Sequence, residues 1–188
     1  MTDQIDLTGK LLIAMPGMGD PRFAHAVIYM CAHSEDGAMG LMINKPTDDL
    51  SLRDLLEQLS IKATPETRDM RVHFGGPVEH GRGFVLHDYG YHSAISTLDV
   101  NEDFAMTATL DILEDLAEGR GPGKALMALG YAGWGPGQIE AEIAENGWLM
   151  CEADHGLVFQ TTDAEKWEAS LKKIGISAIA LSADAGHA

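Results

Sequence analysis

Cysteine, positive charge and long apolar runs are all scarce in this chain of 188 residues. Two cysteines, Cys31 and Cys151, cannot build a disulfide framework, which excludes the small secreted scaffolds that are stapled rather than packed. No apolar run approaches the roughly 20 residues needed to cross a bilayer. The first ten residues, MTDQIDLTGK, place two acids before the first base, the wrong polarity for a signal peptide. Together these absences predict a reduced, cytoplasmic chain with no membrane partner. Only 13 Lys and Arg stand against 29 Asp and Glu, a formal charge of −16. A surface that negative is repelled by phosphate backbones, so direct nucleic-acid binding is not expected. The basic cluster near the end, Lys166, Lys172 and Lys173, is interleaved with Asp163, Glu165 and Glu168 and reads as a solvated helix face.

Hydrophobic content of 45% is enough for one packed domain over 1–188, with residues 1–8 and 183–188 expected to fray. Apolar patterning and turn residues predict strands over 11–15, 25–33, 40–44, 72–76, 83–87, 124–130, 148–153 and 157–160. The turn at 34–38 makes a hairpin of the second and third. A closing strand is expected over 176–181. Helices are predicted after Ser51 (Leu52, Leu55, Leu56 and Leu59 on one face), over 109–118 (Leu110, Leu113 and Leu116 inward) and in QIEAEIAEN with Pro136 at its first position. The last helix opens on a capping box of Thr162 and Glu165. Hairpins mixed with about four helices, without regular βαβ alternation, predict an α+β fold.

The chemistry-bearing motifs are as informative by what fails. His73, His80, His87 and His92 cluster within 20 residues, and strand alternation puts His25, Cys31 and His33 on one face, but no compact zinc spacing and no HEXXH is present. No GXSXG elbow exists, and both cysteines lie in apolar strands, where a thiol is a small inert hydrophobe. GRGPGKA at 119–125 lacks the first glycine and the Ser or Thr of a phosphate loop, and reads as a helix stop. No catalytic residue, metal ligand or cofactor is assigned.

What the chain has in abundance is glycine at fixed places: LLIAMPGMGDPRF (11–23), GAMGLMINKP (37–46), FGGPVEHGRGFVLH (74–87) and GYAGWGPGQIEAEIAENGWL (130–149). These blocks, in order and at compatible spacing over about residues 8–175, resemble the YqgE/AlgH family of small bacterial proteins. The resemblance implies a mixed, largely antiparallel, barrel-like β-sheet flanked by about four helices. It implies no established catalytic residues. Some members are described as transcriptional regulators from effects on gene expression, a role that this charge assigns to a ligand or protein partner rather than to direct DNA contact.

Two loops are the candidate ligand site. One is Gly75-Gly76-Pro77 with nearby Asn44 and Lys45, a rare cation in an acidic chain. The other is the helix start at Gly135 to Gln138, whose free amides favour a small anion, with Trp134 just ahead as a stacking platform. The expected role is a non-catalytic binding or regulatory protein. The alternative is an enzyme acting on a small metabolite with His33 or His87 as general base, which requires a pocket histidine hydrogen-bonded to a carboxylate.

Overall fold

Alternation along the strands decides which side chains meet, and in this protein both faces of the sheet are covered. The computed structural model describes residues 5–17, 19–177 and 179. Its strands are β1 (Lys10–Ala14), β2 (Val27–Ser34), β3 (Gly37–Met42), β4 (Pro46–Ser51), β5 (Arg71–Phe74), β6 (Val78–Asp88), β7 (Leu98–Asp99), β8 (Phe104–Thr107), β9 (Ala125–Trp134) and β10 (Trp148–Glu152). They form a curled sheet in the order β10-β1-β2-β3-β9-β6-β8-β7, with β4 on β5 and β5 on β9. Every pairing is antiparallel except β5 with β9. The helices are α1 (Leu52–Gln58), α2 (Leu110–Ala117), α3 (Gln138–Ala144) and α4 (Asp163–Lys173). This is the α+β, barrel-like arrangement that the resemblance implied.

Odd residues of β1 and β2 (Leu11, Ile13, Val27, Tyr29) pack with Trp167 and Leu171 of α4 in one core. Even residues (Leu12, Ala14, Ile28, Met30) pack with Trp148 and Ile139 of α3 in a second. A third joins α1 and α2 to Val72, Val85 and Met127. Burial of these apolar faces, at about 25 cal/mol per Å2, is the main favourable term in the fold. Among the described residues no helix is long and apolar enough to cross a membrane.

Several local expectations need correction. The capping box forms at Ser51, with Asp54 as its partner, but Thr162 makes no side-chain cap. Residues 157–160 are a π-helical turn rather than a strand, because Leu157 and Val158 bury toward α4 from a wound backbone. Leu110 is 57% exposed, while Ile112 joins Leu113 and Leu116 in the core. Strand β9 runs on to Trp134, absorbing the GYAGW segment expected as a loop, and polar β4 had no apolar alternation to announce it. Gly137, at φ +73°, is the N-cap of α3, so Pro136 lies outside the helix. Leu7, expected to fray, is fully buried, and its N–H donates to His33 Nδ1 at 3.1 Å. Residues 176 and 177 are not in a strand, and most of the expected closing strand, like 183–188, lies outside the described residues.

Candidate functional site

Asn44 and the two glycines are consumed by the fold. Asn44 is buried; its Oδ1 accepts from Val27 N at 2.9 Å and its Nδ2 donates to the His25 carbonyl at 2.9 Å, pinning the entry to β2. A Cβ on Gly75 would lie 2.2 Å from the Gly130 carbonyl oxygen, and one on Gly76 would lie 2.0 Å from the Tyr131 carbonyl carbon. These are close backbone approaches, the reason glycine stands there. Lys45 donates to the Ala24 carbonyl, and partial burial lowers its pKa.

Pro77, Trp134 and Gln138 do come together, in a cavity of about 310 Å3 that Asn44 and Lys45 do not line. Trp134 is not a free platform: it is 8% exposed and packs 6.3 Å, edge-on, from Trp148. Glu142 accepts from both indoles, at 3.3 and 3.0 Å, and its other oxygen accepts from Gln138 at 3.0 Å. The Gly135 amide is taken by the Gln138 side chain at 3.0 Å. Gln138 N in turn donates to the Gly135 carbonyl at 3.1 Å, and the Glu142 carboxylate stands beside this turn.

A wide concavity lies on the sheet and has a volume of about 870 Å3. Met39, Phe84, Met106 and Tyr131 line it from β3, β6, β8 and β9, with Phe84 and Tyr131 edge-to-face at 5.6 Å. Half-exposed Val78 and Leu98 stand at its sides. Arg82, whose guanidinium lies 5.3 Å from the Phe84 ring centre and 3.8 Å from Glu79, supplies a charge beside the apolar floor. Sequence reading missed this site because its lining comes from six strands, and Met39, Phe84 and Tyr131, though inside the glycine blocks, are apolar residues that read locally as core. Val78, Gly133 and Trp134 line both this concavity and the smaller cavity.

The histidines that could act as bases are fully engaged. His33 lines the concavity and its Nε2 meets Glu140 Oε1 at 2.5 Å, the pocket histidine on a carboxylate that the enzyme reading required. Its Nδ1, however, accepts from Leu7 N, so the proton sits on Nε2 and no lone pair is free. A register shift after Met30 separates it from Cys31, which faces the other core. His87 is fully buried: Nδ1 meets the Asp88 carbonyl at 2.7 Å and Nε2 the Thr107 hydroxyl at 2.8 Å, and burial lowers its pKa. Burial also pushes the thiols of Cys31 and Cys151 up to about 12 and about 11. No group of three or more His, Cys, Asp or Glu among the described residues could hold a metal ion.

A family model described as AlgH-like matches residues 11–179. A UPF0301 protein of Cereibacter sphaeroides is 58% identical over 184 residues, 98% of this chain and 100% of that one. A UPF0301 protein of Ruegeria pomeroyi is 58% identical with the same coverage. The solution structure of the AlgH protein from Pseudomonas aeruginosa superposes with a TM-score of 0.80 at 43% identity, covering 100% of this chain and 99% of that one. A Corynebacterium diphtheriae protein at 19% identity shares the fold, with a TM-score of 0.71 over 92% of this chain and 89% of that one.

Proposed function

The chain belongs to the AlgH-like family, and we propose that within it this member is a non-catalytic cytoplasmic binding protein whose concave sheet face takes the apolar part of a partner. The observation that carries this reading is the cavity of about 870 Å3, floored by Met39, Phe84, Met106 and Tyr131. Its size falls in the range of sites that hold small ligands or partner side chains, roughly 300–1,000 Å3. Any part in gene expression is exerted through the bound partner, because a chain of net charge −16 is repelled by nucleic acid. Binding is favoured over catalysis because neither His33 nor His87 offers a free ring nitrogen.

Val78→Asp with Leu98→Asp places two carboxylates at half-exposed positions beside the floor. The anionic apolar dye 1-anilinonaphthalene-8-sulfonate should bind the native wild type, and the double variant should lose most of the emission while its thermal midpoint moves by a few degrees. Surface changes of that kind cost about 0.5 kcal/mol each. Equal emission from both proteins would rule the concave face out.

A further inference from the structure

Away from the concave face, a second cavity inverts the charge of the chain. It measures about 400 Å3 and is lined by Arg68, Arg71, His73 and Lys166 beside Asp69 and Asp163. Lys166, expected on a solvated helix face, is 3% exposed. Three of the cations converge on one carboxylate. His73 Nε2 lies 2.9 and 3.0 Å from the two oxygens of Asp163, Lys166 Nζ lies 3.0 Å from Oδ1, and the Arg71 guanidinium lies 3.9 Å away.

The rest of each cation's bonding leaves positive charge over. His73 Nδ1 faces the Met127 carbonyl at 3.1 Å, so both ring nitrogens are taken by protein acceptors. Lys166 also donates to the Ile43 carbonyl at 2.7 Å, which uses two of its three ammonium hydrogens. Arg68 is held by the carbonyls of Pro122 and Gly123, which orient the guanidinium without neutralising it. Arg68, Arg71 and Lys166 against Asp69 and Asp163 leave an excess of one positive charge before His73 is counted. Charge gathered in a partly desolvated cavity is costly unless a counter-charge shares it.

We propose that this cavity binds a small phosphorylated molecule, its phosphate seated at Arg71 and the third ammonium hydrogen of Lys166 and its body against Leu126, Val158 and Phe159. A phosphate monoester matches the site in two ways. Its charge of nearly −2 meets the positive excess, and its oxygens can accept from the Arg71 guanidinium and from the remaining ammonium hydrogen of Lys166. The volume admits a ligand larger than bare phosphate, and the apolar wall gives that remainder a surface. This site is separate from the concave face and stands whether or not that face binds a partner.

Phenyl phosphate titrated into the 15N-labelled full chain should give saturable amide shifts confined to residues 68–73, 125–126 and 158–166. Arg71→Gln, at a side chain 65% exposed, leaves the fold intact and should weaken binding about tenfold or more, the effect of losing one charge-assisted contact. Benzenesulfonate, of similar shape with a single charge, should bind about tenfold more weakly. The Val78→Asp, Leu98→Asp protein should bind phenyl phosphate as the wild type does. No saturable shifts at these residues by about 20 mM, well above weak-binding constants, would overturn the proposal. Equal affinity in Arg71→Gln, or for benzenesulfonate, would overturn it as well.

Discussion

Asp163→Asn interrogates the cation cluster without any ligand. Burial tends to raise the Asp163 pKa, but the hydrogen bond and charge of His73 and the ammonium of Lys166 outweigh it and hold the carboxyl at about 2, against an ordinary 3.8. At 1.36 kcal/mol per pKa unit that depression corresponds to about 2.5 kcal/mol of stability at neutral pH. Solvent at the cavity mouth, where the side chain is 16% exposed, screens part of it, so about 2 kcal/mol is expected from the carboxylate itself. Asparagine also leaves the Lys166 ammonium buried without a counter-charge. Breaking a buried pair from one side costs about 3–5 kcal/mol. The two routes bracket the loss at between about 2 and about 5 kcal/mol, a large share of a typical total of about 5–15.

Urea unfolding followed by tryptophan emission reads this directly, since Trp167 sits on α4 beside Lys166. Because the folded carboxyl titrates below the unfolded one, its contribution is complete above about pH 5 and fades as pH falls through about 4 toward about 2. Wild type and Asp163→Asn should therefore differ most at pH 7 and converge near pH 2. Adding Lys166→Met removes the stranded charge and should recover at least about 1 kcal/mol. A variant within about 0.5 kcal/mol of wild type at pH 7, or a difference independent of pH, would refute the reasoning.

Three further outcomes follow from the geometry. Glu142→Ala strands the indole N–H groups of Trp134 and Trp148 and should cost about 2 kcal/mol in urea unfolding, whereas Glu142→Gln keeps an acceptor and should cost under about 1. Gly76→Ala forces a methyl carbon to within 2.0 Å of the Tyr131 carbonyl carbon, so the protein should fail to fold or lose more than about 4 kcal/mol by circular-dichroism melting. With their thiols raised to about 12 and about 11 by burial, Cys31 and Cys151 should resist a disulfide reagent at pH 8 in the native state and react together in denaturant. Rapid native labelling of either would show that its strand opens far more readily than its burial implies.

The elements that sequence reading located are those in which local pattern and tertiary burial agree. Leu52, Leu55 and Leu56 at helical spacing behind Ser51 made α1 plain, and the apolar run at 11–15 made β1 plain. It failed where burial follows from distant partners. LVFQ has strand composition, yet it winds into a π turn because α4 receives Leu157 and Val158. Trp134 looked like a loop aromatic, yet Glu142 and Trp148 hold it inside. The glycine blocks correctly marked close backbone approaches, but a close approach is a packing device as often as a site, and Gly75 and Gly76 spend theirs on β9. Lys166 shows the same limit in reverse: its stretch of chain reads as a solvated helix face, and only the Ile43 carbonyl, 123 positions earlier, with Asp163 drawn inward by His73, reveals why it is buried.

The histidines separate recognition from catalysis. A general base needs a ring nitrogen with an unused lone pair facing a reacting proton. His33 uses its acceptor nitrogen on Leu7 and donates with the other to Glu140; His87 bridges a carbonyl and a hydroxyl; His73 faces acceptors at both nitrogens. Each of these rings is thus a fixed donor or a structural tie rather than a proton shuttle. Fixed donors hold anions well because their orientation costs nothing when the ligand arrives. His73, with both nitrogens on protein acceptors, is the tie that holds Asp163 beside Lys166 and Arg71. In a chain of net charge −16, placing it with Lys166 and Arg71 in one cavity gathers cations where an anion can be held.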